Sequence, residues 1–139
     1  MTWKVRMSGL AFLFVLGSAG AAQHDHEAAP AGAQGEAAPP RLLVDAPVAA
    51  YLGRGVLVLP FRTENLKVAP VYGDAAQGMT PRPGHLHVTV DHAVWHWVHA
   101  SPDPLVIQGL PTGPHQVTLD LADANHRTLQ SVDVSFTVP

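Results

Sequence analysis

From Arg41 onward apolar and polar residues mostly take turns, and the alternation breaks at glycine and proline. A period of two sends successive side chains to opposite faces, so it predicts strands with one buried and one wet face. "RLLV" and "GVLVLPFR" read as strands, the second interrupted by Pro60 in the manner of an edge or bulged strand. "NLKVAPVYG" is another, short or irregular, and "AAQGMTPRPG" is a loop. "HLHVTVD" and "VWHWVH" predict a hairpin, and "PLVIQ" a short apolar strand. "HQVTLDLA" and "LQSVDVSFTV" alternate around the turn "DANHRT". In this last pair His115, Val117, Leu119 and Leu121 share the inward face with Val132, Val134, Phe136 and Val138. No stretch holds a helical period over three turns. Some seven short strands in about a hundred residues predict an all-β, immunoglobulin-like β-sandwich. A small barrel is the alternative.

The pattern is different before Arg41. Lys4 and Arg6 form a basic start, "GLAFLFVLG" is a short apolar run, and "SAGAA" supplies small residues for cleavage. Residues 1–22 therefore read as a secretory signal peptide, too short in its apolar part for the roughly 20 residues of a bilayer span. Residues 23–40 are Ala, Gly, Pro, Gln and Glu with almost nothing bulky, the composition of a disordered linker. The β-domain is then 41–139, and the mature protein is expected in the periplasm or medium with no membrane span. Hydrophobic residues are 47% of the chain and charged ones 14%, which fits a folded core. Without Lys4 and Arg6 the formal charge moves from −3 to −5. No basic stripe remains, which excludes nucleic acid as a natural partner. Cysteine is absent, so disulfides and thiolate metal sites are excluded and any ion must take nitrogen and oxygen ligands.

Five of the nine histidines fall in "PGHLHVTVDHAVWHWVHA". His85 and His87 are two apart and leave one side of a strand, roughly 6.6 Å from each other along it, while Leu86, Val88 and Val90 make the core face. Two imidazoles so spaced can converge on one ion. A third depends on hairpin register. With a two-residue turn at His92-Ala93, Val88 opposes Trp97 and His96 lies diagonal to His87. An odd loop would instead bring His99 opposite His87. The even register is favoured because it buries Trp95 and Trp97. The metal ligands expected are thus His85 and His87 with His96 or His99, holding zinc, copper or nickel, all of which suit imidazole. Met79 is the one methionine beyond the leader, which disfavours a thioether copper(I) site.

Other histidines have plainer readings. His115, in "LPTGPHQVTL", suits a hydrogen bond back to upstream backbone, as the corner tyrosine of such sandwiches makes. His126 reads as a turn residue, with Asp123 and Asn125 bonding the backbone around it. Cleavage after Ala21 would expose Ala22-Gln23-His24, a square-planar copper or nickel site; cleavage after Ala22 would remove it.

The stretch from Pro70 to Pro139, through "GHLHVTVD", "WHWVHAS", "GLPTGPH" and "DANH", resembles a family of small exported bacterial proteins catalogued as a domain of unknown function. The resemblance implies a secreted immunoglobulin-like domain and brings no established activity. "GHLHVTVD" and "PTGPH" are also similar to the two cupin metal motifs, with Asp91 as acidic ligand and His115 as the last. Asp replaces the usual Glu there, and one residue is missing before His115. The residues lead to three readings: non-catalytic binding of a divalent transition metal, a metal-free protein-interaction module, and a cupin-like metalloenzyme.

Overall fold

The computed structural model describes residues 38–139. The leader, most of the linker and the His24 terminus lie outside them. The described chain is all-β. Its nine strands are β1 (Arg41–Val44), β2 (Val56–Leu59), β3 (Phe61–Glu64), β4 (Lys67–Val68), β5 (Pro83–Val90), β6 (Trp97–His99), β7 (Leu105–Gln108), β8 (Gly113–Asp123) and β9 (Thr128–Val138). One four-residue helix, α1 (Ala49–Leu52), and one 3-10 turn, Gly73–Ala76, complete the regular elements.

The extra strands have local causes. Pro60 cannot donate to a ladder, so "GVLVLPFR" splits there. β2 then pairs with β7 and β3 with β1, in separate antiparallel ladders. The main sheet runs β4-β5-β8-β9, with β6 also on β5, and it does not close into a barrel. Leucines and valines of β1, β2, β4, β5, β7 and β8 form one core between these layers. The packing is that of a sandwich.

β8 shows how the sequence builds a layer. Val117, Leu119 and Leu121 are fully buried, while Gln116, Thr118 and Asp120 are not. Opposite them Val132, Val134 and Phe136 pack on the core, and Asp133, Ser135 and Thr137 are exposed. Near the hairpin tip the ladder slips: Leu121 pairs with Gln130 but Ala122 with Thr128, leaving Leu129 without a partner. That extra residue is a β-bulge. At the other side of β9, the Gln130 side chain accepts from Leu42 N–H (2.8 Å) and donates to Leu42 O (3.2 Å), fastening β1.

Candidate metal centre

β5 carries two of the histidines. Leu86 and Val88 are fully buried on its core side, so His85 and His87 leave by the other face. Across on β8, His85 opposes Ala122 and His87 opposes Asp120. Alanine leaves room above the sheet for the imidazole of His85. That face is covered at one of the two rings: His85 is fully buried and His87 half-buried.

What covers His85 is the tip of the β8–β9 hairpin. Asp123 N–H donates to Arg127 O (3.0 Å) and His126 N–H to Asp123 O (3.0 Å), closing a three-residue loop. The Asp123 carboxylate accepts from the N–H groups of Asn125 (2.9 Å) and Arg127 (3.0 Å) and from the Arg127 guanidinium (3.0 and 3.2 Å). Those bonds hold its carboxyl below the usual range against a burial that acts the other way. The loop ends on His126 at φ 63°, a left-handed position normally given to glycine or asparagine. A histidine there costs about 1 kcal/mol of backbone strain, and such costs collect at functional positions.

The three rings meet nitrogen to nitrogen. His85 Nε2 lies 3.0 Å from His87 Nε2 and 3.0 Å from His126 Nδ1, and the last two are 3.1 Å apart. Hydrogen bonding cannot satisfy this triangle. Each nitrogen is either a donor or an acceptor, so among three mutual contacts at least one pairs like with like. A cation accepts all three lone pairs at once. Imidazole nitrogens around a tetrahedral zinc, at about 2.0–2.1 Å from it, stand about 3.3–3.4 Å apart. The observed spacing is a few tenths of an ångström short of that. The three residues could hold an ion: they form a group of possible ligands among the described residues.

Electrostatics keep the rings ready. Burial, then the neighbouring His126 and His87, lower the pKa of His85 to about 4. Burial, then His96 and His126, also lower that of His87. Both are neutral near pH 7, the form that ligates. Among the described residues His85 Nδ1 is buried with no hydrogen-bond partner. Tyr72 flanks the cluster, stacked on His126 (5.7 Å between centroids, planes 2° apart) and tilted on His85 (5.2 Å). Its strand-like approach is fixed where Gly73 N–H donates to Ala124 O (3.0 Å).

The remaining histidines separate. β5 and β6 pair Val88↔Trp97 and Leu86↔His99, the even register. His96 thereby shares the face of His87, and their rings stack at 4.7 Å, outside the nitrogen triangle. His99 points to the core side instead. It meets Phe61 edge-on at 5.6 Å and donates from Nε2 to Asp103 O (3.1 Å), so it does not join the cluster. The turn itself falls one residue earlier than expected, at Asp91-His92, both with positive φ, closed by Ala93 N–H to Val90 O. The unpaired residues after it leave Trp95 60% exposed; only Trp97 packs on the core.

His115 makes its expected bond, Nε2–H to Pro111 O at 2.8 Å, and a second from Nδ1–H to Asp91 Oδ2 at 2.8 Å. This disposes of the cupin arrangement. Asp91 holds His115 and the backbone of Gln116, and His115 sits seven residues along β8 from Ala122, roughly 23 Å from the cluster at strand rise.

Sequence reasoning missed His126 and Tyr72 as members of the site. "DANHRT" is the turn it was read to be, yet the histidine at its left-handed position was itself the available signal. Comparison with curated proteins and with solved structures gave no match. A family of unknown function (DUF6130) matches residues 6–139, and the chain belongs to that family.

Proposed function

We propose that this protein is an exported binder of a divalent transition-metal ion, held by His85 Nε2, His87 Nε2 and His126 Nδ1. The observation that carries the reading is the closed triangle of ring nitrogens at 3.0–3.1 Å, which no assignment of protons satisfies. An all-nitrogen donor set suits zinc(II), copper(II) and nickel(II). A ligand histidine usually donates its second nitrogen to a carboxylate or carbonyl, and among the described residues His85 Nδ1 has no such partner. The reading is of reversible binding, the ion being cargo or an exchangeable stabiliser. Export follows from the leader in the sequence.

His126→Gly tests the proposal, removing the third imidazole and its stacking on Tyr72 while keeping a residue suited to the left-handed seat. Glycine relieves the left-handed strain, so the metal-free variant should unfold about 1 kcal/mol harder than the parent in urea. Calorimetric titration of the metal-free mature protein with zinc(II) should give one ion per chain, and the variant should lose at least about tenfold in affinity. Unchanged affinity would remove the metal reading. The second reading, a protein-interaction module, would then take its place, favoured by the exposed Val94, Trp95 and Val98 beside His96.

A further inference from the structure

We propose that His96 is the fourth ligand of the ion, closing the coordination position that His85, His87 and His126 leave open. The inference rests on the three-histidine reading and deepens it. Three observations support it.

The first is which face His96 lies on. With Val88 opposite Trp97, Trp97 and His99 point inward, and His96 and Val98 share the outer face with His87. The second is distance. The His87 and His96 rings lie 4.7 Å apart between centroids, with planes 28° apart. The pairs within the triangle are separated by 4.9, 4.5 and 5.4 Å. His96 thus lies against His87 at a centroid spacing like those within the triangle, but its ring nitrogens are not among the donors that lie within 4.8 Å of one another, so the ring must swing to reach the ion. The third is latitude. The turn is closed at Ala93, and the β5–β6 ladder resumes only at Trp97. Residues 94–96 can therefore bring the exposed His96 ring over the triangle without breaking a ladder pair.

The chemistry has room for such a group. Tetrahedral ions bound by three protein ligands keep a water at the fourth position, whereas four protein ligands close the site. Tyr72 already lies against His126 and His85, whereas His96 lies against His87. A closed four-nitrogen site would hold the ion against small competing ligands, and withdrawal of His96 would open it for release.

Cobalt(II), which takes tetrahedral sites and absorbs in the visible, is the probe. The wild-type complex should show a four-nitrogen spectrum that added imidazole does not change. His96→Ala, at an exposed position, should fold normally, bind cobalt(II) about tenfold more weakly, and regain the parent spectrum when imidazole fills the vacated position. A variant with unchanged affinity, unchanged spectrum and no response to imidazole would overturn the role of His96 while leaving three histidines on the ion. Failure of the wild-type protein to take up cobalt(II) or zinc(II) would overturn both.

Discussion

Single side chains decide the chemistry here, and two histidines show how differently they can be used. In the proposed site His126 would contribute a lone pair from a strained backbone seat, whereas His115 contributes two N–H groups. Both acceptors around His115, the Asp91 carboxylate and the Pro111 carbonyl, lack a proton to give, so the ring is favoured as imidazolium. The Pro111 bond first and the Asp91 bond second raise its pKa, and the N–H of Gln116 followed by His115 lowers that of Asp91. A histidine with a raised folded pKa stabilises fully below its unfolded value near 6.5, and the contribution fades as pH rises through the folded value. For Asp91 the contribution fades as pH falls through its depressed value, below about 3.8. His115→Gln should therefore cost about 1 kcal/mol near pH 5–6, a figure limited by the half-exposed state of Asp91. The deficit relative to wild type should shrink in urea unfolding as the pH rises above about 6.5 and through the raised folded value. A gap that is constant with pH would mean that the ring is neutral.

At the scale of elements, β5 governs the site because it sets where His85 stands against β8. Gly84 permits that closeness. A Cβ there would lie 2.4 Å from Ala122 O and 2.7 Å from a Leu66 methyl. Gly84→Ala should cost about 1–3 kcal/mol of unfolding free energy and weaken zinc binding, because β5 must back away from β8 beside His85. Urea melts and zinc titration of one sample would read both effects. The strands themselves were largely legible in the sequence, since a period of two is a local property; β1, β7, β8 and β9 fall where alternation puts them. Pairing is less local. That Pro60 would send β2 and β3 to different ladders depends on partners some fifty residues away in one case and twenty in the other. Alternation likewise shows that His85 leaves the core face, but not that Tyr72 and the distant hairpin tip would cover it. Trp95 illustrates the limit from the other side. A turn placed one residue earlier left it outside the ladder, and its apolarity alone could not draw it in.

The whole molecule is tied together by the same few contacts. One core joins all three ladders, with Leu57, Leu59, Leu86, Leu105, Leu119 and Leu121 among its fully buried residues. The site sits on the opposite face of the main sheet, with donors that are 39 and 41 positions apart in sequence. An unfolded chain does not hold such donors together, so an ion at the proposed site would favour the native state and stabilise all of it. Zinc(II) at a hundred times its dissociation constant should add about 2.7 kcal/mol to the unfolding free energy of the wild type and, with an at least tenfold loss of affinity, no more than about 1.4 kcal/mol to that of His126→Gly. Equal stabilisation of the two would point to an ion elsewhere on the chain. Among the described residues no helix is long and apolar enough to cross a membrane.

The unpartnered Leu129 has a consequence for how kindred chains should be compared. It shifts the count along β9 by one just before the hairpin reaches its tip, and the tip is what aims the third imidazole. A cousin that spells all three histidines but is one letter shorter there would present that ring to a different wall of the sheet. Spacing between Ala122 and Gln130, more than the tally of histidines, is the character by which ion-competent members would be sorted from the rest.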